Sequence, residues 1–210
     1  GQMWDRPFGD DVQSDVAALR DAAFPVLDST AAEGIGREIL AARDACDSIG
    51  GVTQTAVCGL PAGVGEPWFD SVEGLLSHAV FSIGGIKGIE FGSGFSAAGQ
   101  RGSVFNDPLR MAGDRVVTAT NHNGGINGGI TNGMPVVFQC AVKPTPSIGR
   151  LQQTVDFLRG EDAEMTIRGR HDPAIIRRIC PVLDSVTALV VCDLLAQRFG
   201  TDYFTKGEAQ

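Results

Sequence analysis

The sequence predicts an α+β fold. Several stretches space their apolar residues as helices do, and shorter runs rich in β-branched residues lie between them. These elements do not alternate regularly, as they would in a doubly wound parallel sheet. With 210 residues, 43% of them hydrophobic, the chain is long enough to bury a substantial core.

The first elements follow an opening without periodicity. Residues 1–23 are predicted to be an irregular leader, and residues 24–210 a single domain. From Thr30 to Ile49 apolar residues recur at helical spacing, and Gly50 and Gly51 end the run. The stretch VTQTAVCGLP then alternates and is rich in β-branched residues, so it predicts a strand.

A second amphipathic helix is predicted after Asp70. Asp70 and Glu73 stand at the spacing of a capping box, ahead of an apolar stripe that runs to Ile83. The stretch IKGIEFGSGF predicts a short strand with a glycine-rich exit. Residues 96–119 are polar apart from RVVTAT, which indicates a surface loop or hairpin.

The last elements are a strand and a long helix. Met134 to Val142 is apolar and predicts a strand, while Asp172 to Phe199 predicts an apolar helix. Pro181 must start, break or kink that helix, because proline lacks the amide hydrogen that a helix interior needs.

Charge and cysteine content exclude several classes of protein. The net charge of −8 and the pI near 4.8 argue against a nucleic-acid surface or a binder of anionic membranes. No apolar run is expected to span a bilayer, and no secretion signal is recognised, so we expect a cytoplasmic protein. The five cysteines are scattered singly, which predicts neither a disulfide framework nor a metal site.

The segment KPTPS directly follows the predicted strand. Lys143, Thr145 and Ser147 place an ammonium group and two hydroxyls on a stretch stiffened by Pro144 and Pro146. Such a group could hold a phosphate, because charge, hydroxyl donors and low ordering cost favour anion binding. A turn that ends the strand and exposes a lysine is the alternative, and these residues alone favour it.

The segment GRHDP precedes the last helix. Asp172 could be its N-cap and Pro173 its first residue. Alternatively, Arg170 could bind an anion while Asp172 transfers a proton. The isolated His78 on the second helix is read as a packed or surface residue rather than a ligand.

A glycine and asparagine run, TNHNGGINGGITNG, precedes the strand at Met134. Glycine clusters mark unusual dihedral angles or a backbone close to a ligand. A tight turn and a ligand cradle are equally compatible with the run, and it contains no G-x-G-x-x-G.

Together and in order, these blocks resemble the chorismate synthase family. The resemblance is carried by CDSIGGV, GLPAGVGEPWFD, LSHAVFSIGGIKGIEFGSGF, TNHNGGINGGITNG, KPTPSI and GRHDPAIIRRICPV, and it runs from about Phe24 to Leu195. It implies a sandwich of helices between antiparallel sheets, of which this chain would form part, and a homotetrameric parent enzyme. Family members usually carry a cysteine where this chain has Ala174, a position that we do not expect to do chemistry.

The resemblance implies a lyase that makes chorismate from 5-enolpyruvylshikimate 3-phosphate by 1,4-elimination of phosphate. It implies reduced FMN as cofactor and associates the chain with NADP, and it leaves open whether the enzyme or a partner reduces the flavin. It assigns Asp172 to proton transfer. It assigns to flavin binding the residues Gly84, Gly85, Gly128, Lys143, Pro144, Thr145, Pro146, Ser147 and Arg170.

Family motifs that carry the catalytic histidines and the substrate arginines have no counterpart in this sequence. His122 and His171 lie in blocks with their own family match, so neither is assigned to those roles. We therefore expect a carboxy-terminal fragment with little or no activity by itself. The alternative is a non-catalytic half-domain that binds flavin or self-associates.

Overall fold

A computed structural model describes residues 3–20 and 22–205. Its helices and strands are mixed without regular alternation, and every strand pair is antiparallel, so the α+β prediction is confirmed. The helices are α1 (Val12–Leu19), α2 (Ser29–Asp44), α3 (Val72–Val80), α4 (Gly102–Phe105) and α5 (Ile176–Phe199). The strands are β1 (Gly51–Val57), β2 (Ile86–Phe91), β3 (Leu109–Ala112), β4 (Arg115–Thr118), β5 (Ile126–Asn127), β6 (Ile130–Thr131), β7 (Val136–Val142), β8 (Leu151–Asp156) and β9 (Glu161–Thr166).

The central sheet has the order β1, β7, β2. In β7 alternate side chains are buried, as expected for a strand with one face on a core. α3 and α5 pack against each other, α3 contacts β2 and α5 contacts β1. The buried residues of β7 and these helices form one cluster, whose fully buried members include Phe138, Leu76 and Leu183.

The other strands form three two-stranded hairpins: β3–β4, β5–β6 and β8–β9. The β3–β4 hairpin contains RVVT, where a loop or hairpin was expected. The β8–β9 hairpin has apolar side chains that face solvent, and at its turn Phe157 and Leu158 are 92% and 99% exposed. No sequence pattern predicted this hairpin.

The amino-terminal residues differ from the irregular leader that the sequence predicts. Residues 12–19 form α1, which Asp11 caps by accepting a hydrogen bond from the Ser14 nitrogen at 3.0 Å. The Asp5 carboxylate accepts from the main-chain nitrogens of Leu27 and Asp28 at 2.7 and 2.9 Å. Asp5 therefore ties its segment to the residues just before α2.

The predicted end of α2 and the predicted cap of α3 are wrong. α2 stops at Asp44 rather than Ile49, because Cys46 takes a left-handed conformation with φ of +54°. The cap of α3 is Ser71 rather than Asp70, since its hydroxyl accepts from the Gly74 nitrogen at 2.9 Å.

α5 begins at Ile176, so Asp172 is not its N-cap and Pro173 is not its first residue. The Pro173 carbonyl accepts from the Ile49 nitrogen at 2.8 Å, which holds this segment outside the helix. Pro181 lies inside α5 and does not end it.

The expectation that no apolar run could span a bilayer is also wrong for α5. By length and composition alone, the 24 residues of Ile176–Phe199 are sufficient to cross a membrane. One face of the helix packs on the core through Ile179, Leu183, Thr187, Leu194 and Leu195.

Candidate functional site at the end of the central strand

The predicted glycine pair and the predicted lysine meet where β7 ends. Lys143 follows Val142, and its main-chain nitrogen donates to the carbonyl oxygen of Gly85 at 2.9 Å. Gly85 has φ of +98°, and an added Cβ would lie 3.0 Å from Cδ1 of Ile175. Gly84 is exposed and has open space beside it.

The segment from Lys143 to Ser147 is anchored by its backbone. The hydroxyl of Ser48 donates to the carbonyl oxygen of Thr145 at 2.6 Å. Lys143, Pro144 and Pro146 are exposed. The Oγ1 atom of Thr145 is buried without a hydrogen-bond partner among the residues that the structure describes. A buried hydroxyl without a partner is costly, so it marks a place where a polar ligand atom would be stabilising.

His171 joins this segment to the one before α5. Oγ of Ser147 lies 3.1 Å from Nδ1 of His171. Nε2 of His171 lies 3.0 Å from the carbonyl oxygen of Ile167. The histidine is partly buried and bridges two loops that are 24 residues apart in sequence.

Arg170 and Asp172 flank this histidine and differ in their contacts. Arg170 is exposed and makes no hydrogen bond or ion pair within residues 3–20 and 22–205. One carboxylate oxygen of Asp172 accepts from the Ala174 nitrogen at 3.1 Å, and the other lies 3.1 Å from Nε of Arg178. Arg170 is thus available to a ligand, while Asp172 already has two partners.

A half-open cleft of about 390 Å³ lies beside Asp172. It lies between α2, the start of α5 and the segment before α2. Arg177 crosses it, with one guanidinium nitrogen 3.1 Å from the Ala23 carbonyl oxygen and the group 4.6 Å from the centre of the Phe24 ring. The lining residues are Ala23, Pro25, Ile39, Asp172, Ala174, Arg177 and Arg178.

Gly128 lies away from the other predicted site residues. It forms the β5–β6 turn with Gly129, and both have positive φ, at +60° and +89°. The Gly129 carbonyl accepts from the Val72 nitrogen at 3.0 Å, at the start of α3. Gly85 follows the carboxyl end of α3, and Lys143 follows the carboxyl end of β7, whereas Gly128 lies near the start of α3. A strand of seven residues such as β7 is roughly 20 Å long.

Gly128 lines a second cleft, of about 500 Å³, with Pro67, Trp68, Ser71, Glu73 and Gly129. Trp68 is 86% exposed and has φ of +69°, which is unusual for a residue with a Cβ. Oε2 of Glu73 is buried without a partner among the described residues. The tight turn, one of the two interpretations of the glycine run, is therefore present at Gly128.

Close backbone packing accounts for another glycine of the run. A Cβ on Gly124 would lie 2.5 Å from the Gly92 nitrogen and 2.8 Å from the Val137 carbonyl oxygen. These distances leave no room for a side chain. The run is thus partly explained by packing against β7 and the exit of β2.

Asp107 organises the start of the same run, and the sequence analysis missed it. Its carboxylate accepts from the hydroxyl of Thr120 and the main-chain nitrogens of His122 and Asn123, at 2.6 to 3.0 Å. Burial acts to raise the pKa of Asp107, but these hydrogen bonds together hold it below the usual range. The only sequence signal was an aspartate between Asn106 and Pro108, a common turn composition.

Comparison with known proteins identifies the family. The family model described as chorismate synthase matches residues 8–196. The chain belongs to the chorismate synthase family. It is 47% identical over 166 residues to the chorismate synthase of Methanocella arvoryzae, which covers 79% of this chain and 45% of that protein. It is 51% identical over 160 residues to that of Chitinophaga pinensis, which covers 75% of this chain and 48% of that protein.

A solved structure titled as a crystal structure of chorismate synthase matches with a TM-score of 0.73 and 26% sequence identity. The match covers 92% of this chain and 51% of the other, so the fold is part of the chorismate synthase fold. The chain spans about half the length of the curated relatives it matches.

Proposed function

We propose that this chain carries the flavin-binding side of a chorismate synthase, a lyase of aromatic amino acid biosynthesis. The full reaction is the 1,4-elimination of phosphate from 5-enolpyruvylshikimate 3-phosphate, with reduced FMN as cofactor. Family membership supports the reaction class. We further propose that the parent enzyme is a cytoplasmic homotetramer that binds neither nucleic acid nor membrane, and that NADP is associated with its activity.

One observation carries the proposal: several predicted flavin ligands converge at the end of β7. Hydrogen bonds join Gly85 to Lys143, and Ser147 to His171 beside Arg170. Lys143 and Arg170 are exposed cations that make no ion pair in the described part of the chain. Two such cations suit an anionic phosphate, because a charged hydrogen bond is about twice as strong as a neutral one.

The neighbouring residues fit the same ligand. The unpartnered hydroxyl oxygen of Thr145 would gain a hydrogen bond from, or give one to, a polar cofactor atom. Pro144 and Pro146 fix the backbone, so little conformational entropy is lost when a ligand binds. We keep Gly128 as a proposed cofactor contact, which requires the site to extend along β7 to the end opposite Lys143.

The reduced flavin would supply electron density to the substrate as phosphate leaves, which lowers a barrier that side chains alone could not. The role of the chain is to bind the anionic groups and to fix their orientation. Asp172 is proposed to hold or pass a proton near the flavin ring. Its contacts with Arg178 and the Ala174 nitrogen would keep the carboxylate in place.

We propose that the chain alone has little or no lyase activity, since its relatives are about twice as long. A self-associating half-domain is the second candidate. The exposed apolar residues of the β8–β9 hairpin favour it, because surfaces of this kind are usually covered in an assembly. Size-exclusion chromatography separates the candidates, since a chain that remains monomeric contradicts self-association.

The decisive experiment is an anaerobic titration of the chain with reduced FMN, measured by equilibrium dialysis with and without 5-enolpyruvylshikimate 3-phosphate. Saturable binding supports a flavin site in this chain, and its absence contradicts one.

Tryptophan fluorescence adds a position-specific reading, because Trp4 and Trp68 are the two tryptophans. In a Trp4→Phe variant, quenching of Trp68 would support a contribution from the Gly128 end, and unchanged emission would argue against it.

A further inference from the structure

His171 has one acceptor partner and one partner that can either donate or accept. A carbonyl oxygen only accepts, so Nε2 at 3.0 Å from the Ile167 oxygen must carry a hydrogen. In a neutral imidazole the other nitrogen then has none. Nδ1 is therefore an acceptor, and the Ser147 hydroxyl donates to it across 3.1 Å.

This arrangement limits what Ser147 can offer to a ligand. A serine hydroxyl has one hydrogen, and here it is directed at His171. Only the lone pairs of the hydroxyl oxygen remain, and these repel an oxyanion. Ser147 therefore cannot donate to a phosphate oxygen while it keeps this hydrogen bond to neutral His171.

Protonation of His171 reverses the hydrogen bond. Both nitrogens of an imidazolium are donors, so Nδ1 then donates to the Ser147 oxygen. The hydroxyl hydrogen is released and can point to an oxyanion. The proton comes from hydronium or a buffer acid in solution, whose bond to hydrogen breaks as the new N–H bond at Nδ1 forms, and no other covalent bond changes.

We infer that His171 is a positioning residue that sets the direction of the Ser147 hydrogen bond, so that binding of an oxyanion at Lys143–Ser147 takes up one proton at His171. The inference rests on the proposed anion site in that segment. It assigns to His171 a role through Ser147 and not a contact with the reacting atoms.

The charged groups around His171 leave it as the group that responds to pH. The nearby segments carry three cations without an acidic partner in the described chain, Lys143, Arg168 and Arg170. They also carry the ion pairs of Asp47 with Arg150, at 2.8 Å, and of Asp172 with Arg178. The Ser48 nitrogen and Arg150 hold the pKa of Asp47 below its usual range, so Asp47 stays charged between about pH 5 and 8. Histidine is the side chain that ordinarily changes charge in this interval.

The chain offers a matched control. Nδ1 of His122 lies 3.1 Å from Oγ of Ser93, the same contact at the other end of β2. Ser93 follows the end of β2 and His122 lies in the glycine and asparagine run, whereas Lys143 contacts Gly85 before the start of β2. His122→Asn therefore removes a similar histidine without touching the proposed site.

The experiment uses sulfate as the probe, because sulfate keeps both charges from pH 5 to 8 while phosphate groups titrate. Sulfate affinity and proton uptake are measured by calorimetry in buffers of different ionisation enthalpy. In the wild type and His122→Asn we expect the affinity to fall with rising pH, by up to tenfold per pH unit, because binding takes up one proton. In His171→Asn and Ser147→Ala we expect this dependence to disappear.

Nitrogen NMR of the histidines tests the unliganded state directly. At pH 8 we expect the hydrogen of His171 on Nε2, and added sulfate at pH 7 should protonate Nδ1. A hydrogen on Nδ1 at pH 8, a pH dependence that survives His171→Asn, or no sulfate binding would each overturn the inference. If His171→Asn does not fold, Ser147→Ala and the NMR arm still decide the question.

The outcomes separate this inference from the proposed function. Sulfate binding with the expected proton uptake, but without binding of reduced FMN, supports the histidine switch and contradicts the flavin site. Flavin binding whose pH dependence is equal in the wild type and His171→Asn supports the flavin site and contradicts the switch.

Discussion

The main-chain nitrogen of Lys143 donates to the carbonyl oxygen of Gly85 at 2.9 Å, which joins the exit of β7 to the turn before β2. That geometry requires Gly85 to adopt φ of +98°, a conformation that residues with a Cβ rarely take. The position of the candidate ligand Lys143 thus depends on a glycine 58 residues earlier in the chain.

Replacing Gly85 by alanine should destabilise the protein. The new Cβ would be strained by the positive φ and would lie 3.0 Å from Cδ1 of Ile175. We expect a loss of about 1–3 kcal/mol in the free energy of unfolding, measured by urea denaturation. Gly84→Ala is the matched control, because no atom lies within 4 Å of its added Cβ. Equal stability of the two variants would contradict this account of the turn.

Lys143→Met should weaken binding of reduced FMN. Methionine keeps much of the length of the side chain but removes the charge that the proposed site offers to phosphate. We expect an affinity at least about tenfold lower, or ~1.4 kcal/mol, by equilibrium dialysis. Lys87→Met is the control, since Lys87 is an exposed lysine on β2. A similar loss in both variants would indicate a general effect of net charge instead.

Asp107→Asn should loosen the glycine and asparagine run. An amide has one acceptor oxygen where the carboxylate has two, so main-chain nitrogens of His122 and Asn123 would lose charged partners. We expect a cost of about 2 kcal/mol in unfolding free energy. Asp114→Asn, in the exposed turn between β3 and β4, should change stability by less than about 0.5 kcal/mol.

The stabilisation from Asp107 should also depend on pH. Its pKa is lowered in the folded protein, so the folded state binds its proton less readily than the unfolded state does. The contribution is therefore complete above the unfolded pKa of about 4 and is lost as pH falls through the folded value. The stability difference between wild type and Asp107→Asn should shrink below that pH, and a constant difference would contradict the assignment.

Local patterns predicted the elements that form the core. The apolar run after Met134 identified β7, helical spacing identified α3, and the apolar helix predicted from Asp172 to Phe199 contains all of α5 but starts too early. The β8–β9 hairpin was missed because its pattern is inverted: Gln152, Thr154 and Asp156 are the less exposed side chains, while Leu151 and Val155 face solvent. Polar Gln153 lies between Leu151 and Val155 on the outward face, so the segment lacks the strict alternation that predicts a strand.

The site was predicted only in part, because its contacts join distant residues. The motifs singled out Lys143, Ser147 and Arg170, and their role in a site stays a prediction. The contact of Ser147 with His171 and the hydrogen bonds of Asp107 depend on how loops fold together, which no local pattern encodes. The end of α5 nearest this site was also misplaced, because the tertiary hydrogen bond from Ile49 to Pro173 outweighs the capping preference of Asp172.

Cys46→Gly should stabilise the protein. The nitrogens of Cys46 and Asp47 donate to the carbonyl oxygens of Arg43 and Ala42 at 3.0 and 2.9 Å, which is the Schellman motif that ends a helix. Glycine is preferred at the position of Cys46, where φ is +54°, because it has no Cβ to clash with the backbone. We expect a gain of about 1 kcal/mol in the free energy of unfolding, measured by urea denaturation. Cys46→Ala is the control, since it removes the exposed thiol but keeps the Cβ, and a gain equal to that of glycine would assign the effect to the thiol rather than to the backbone.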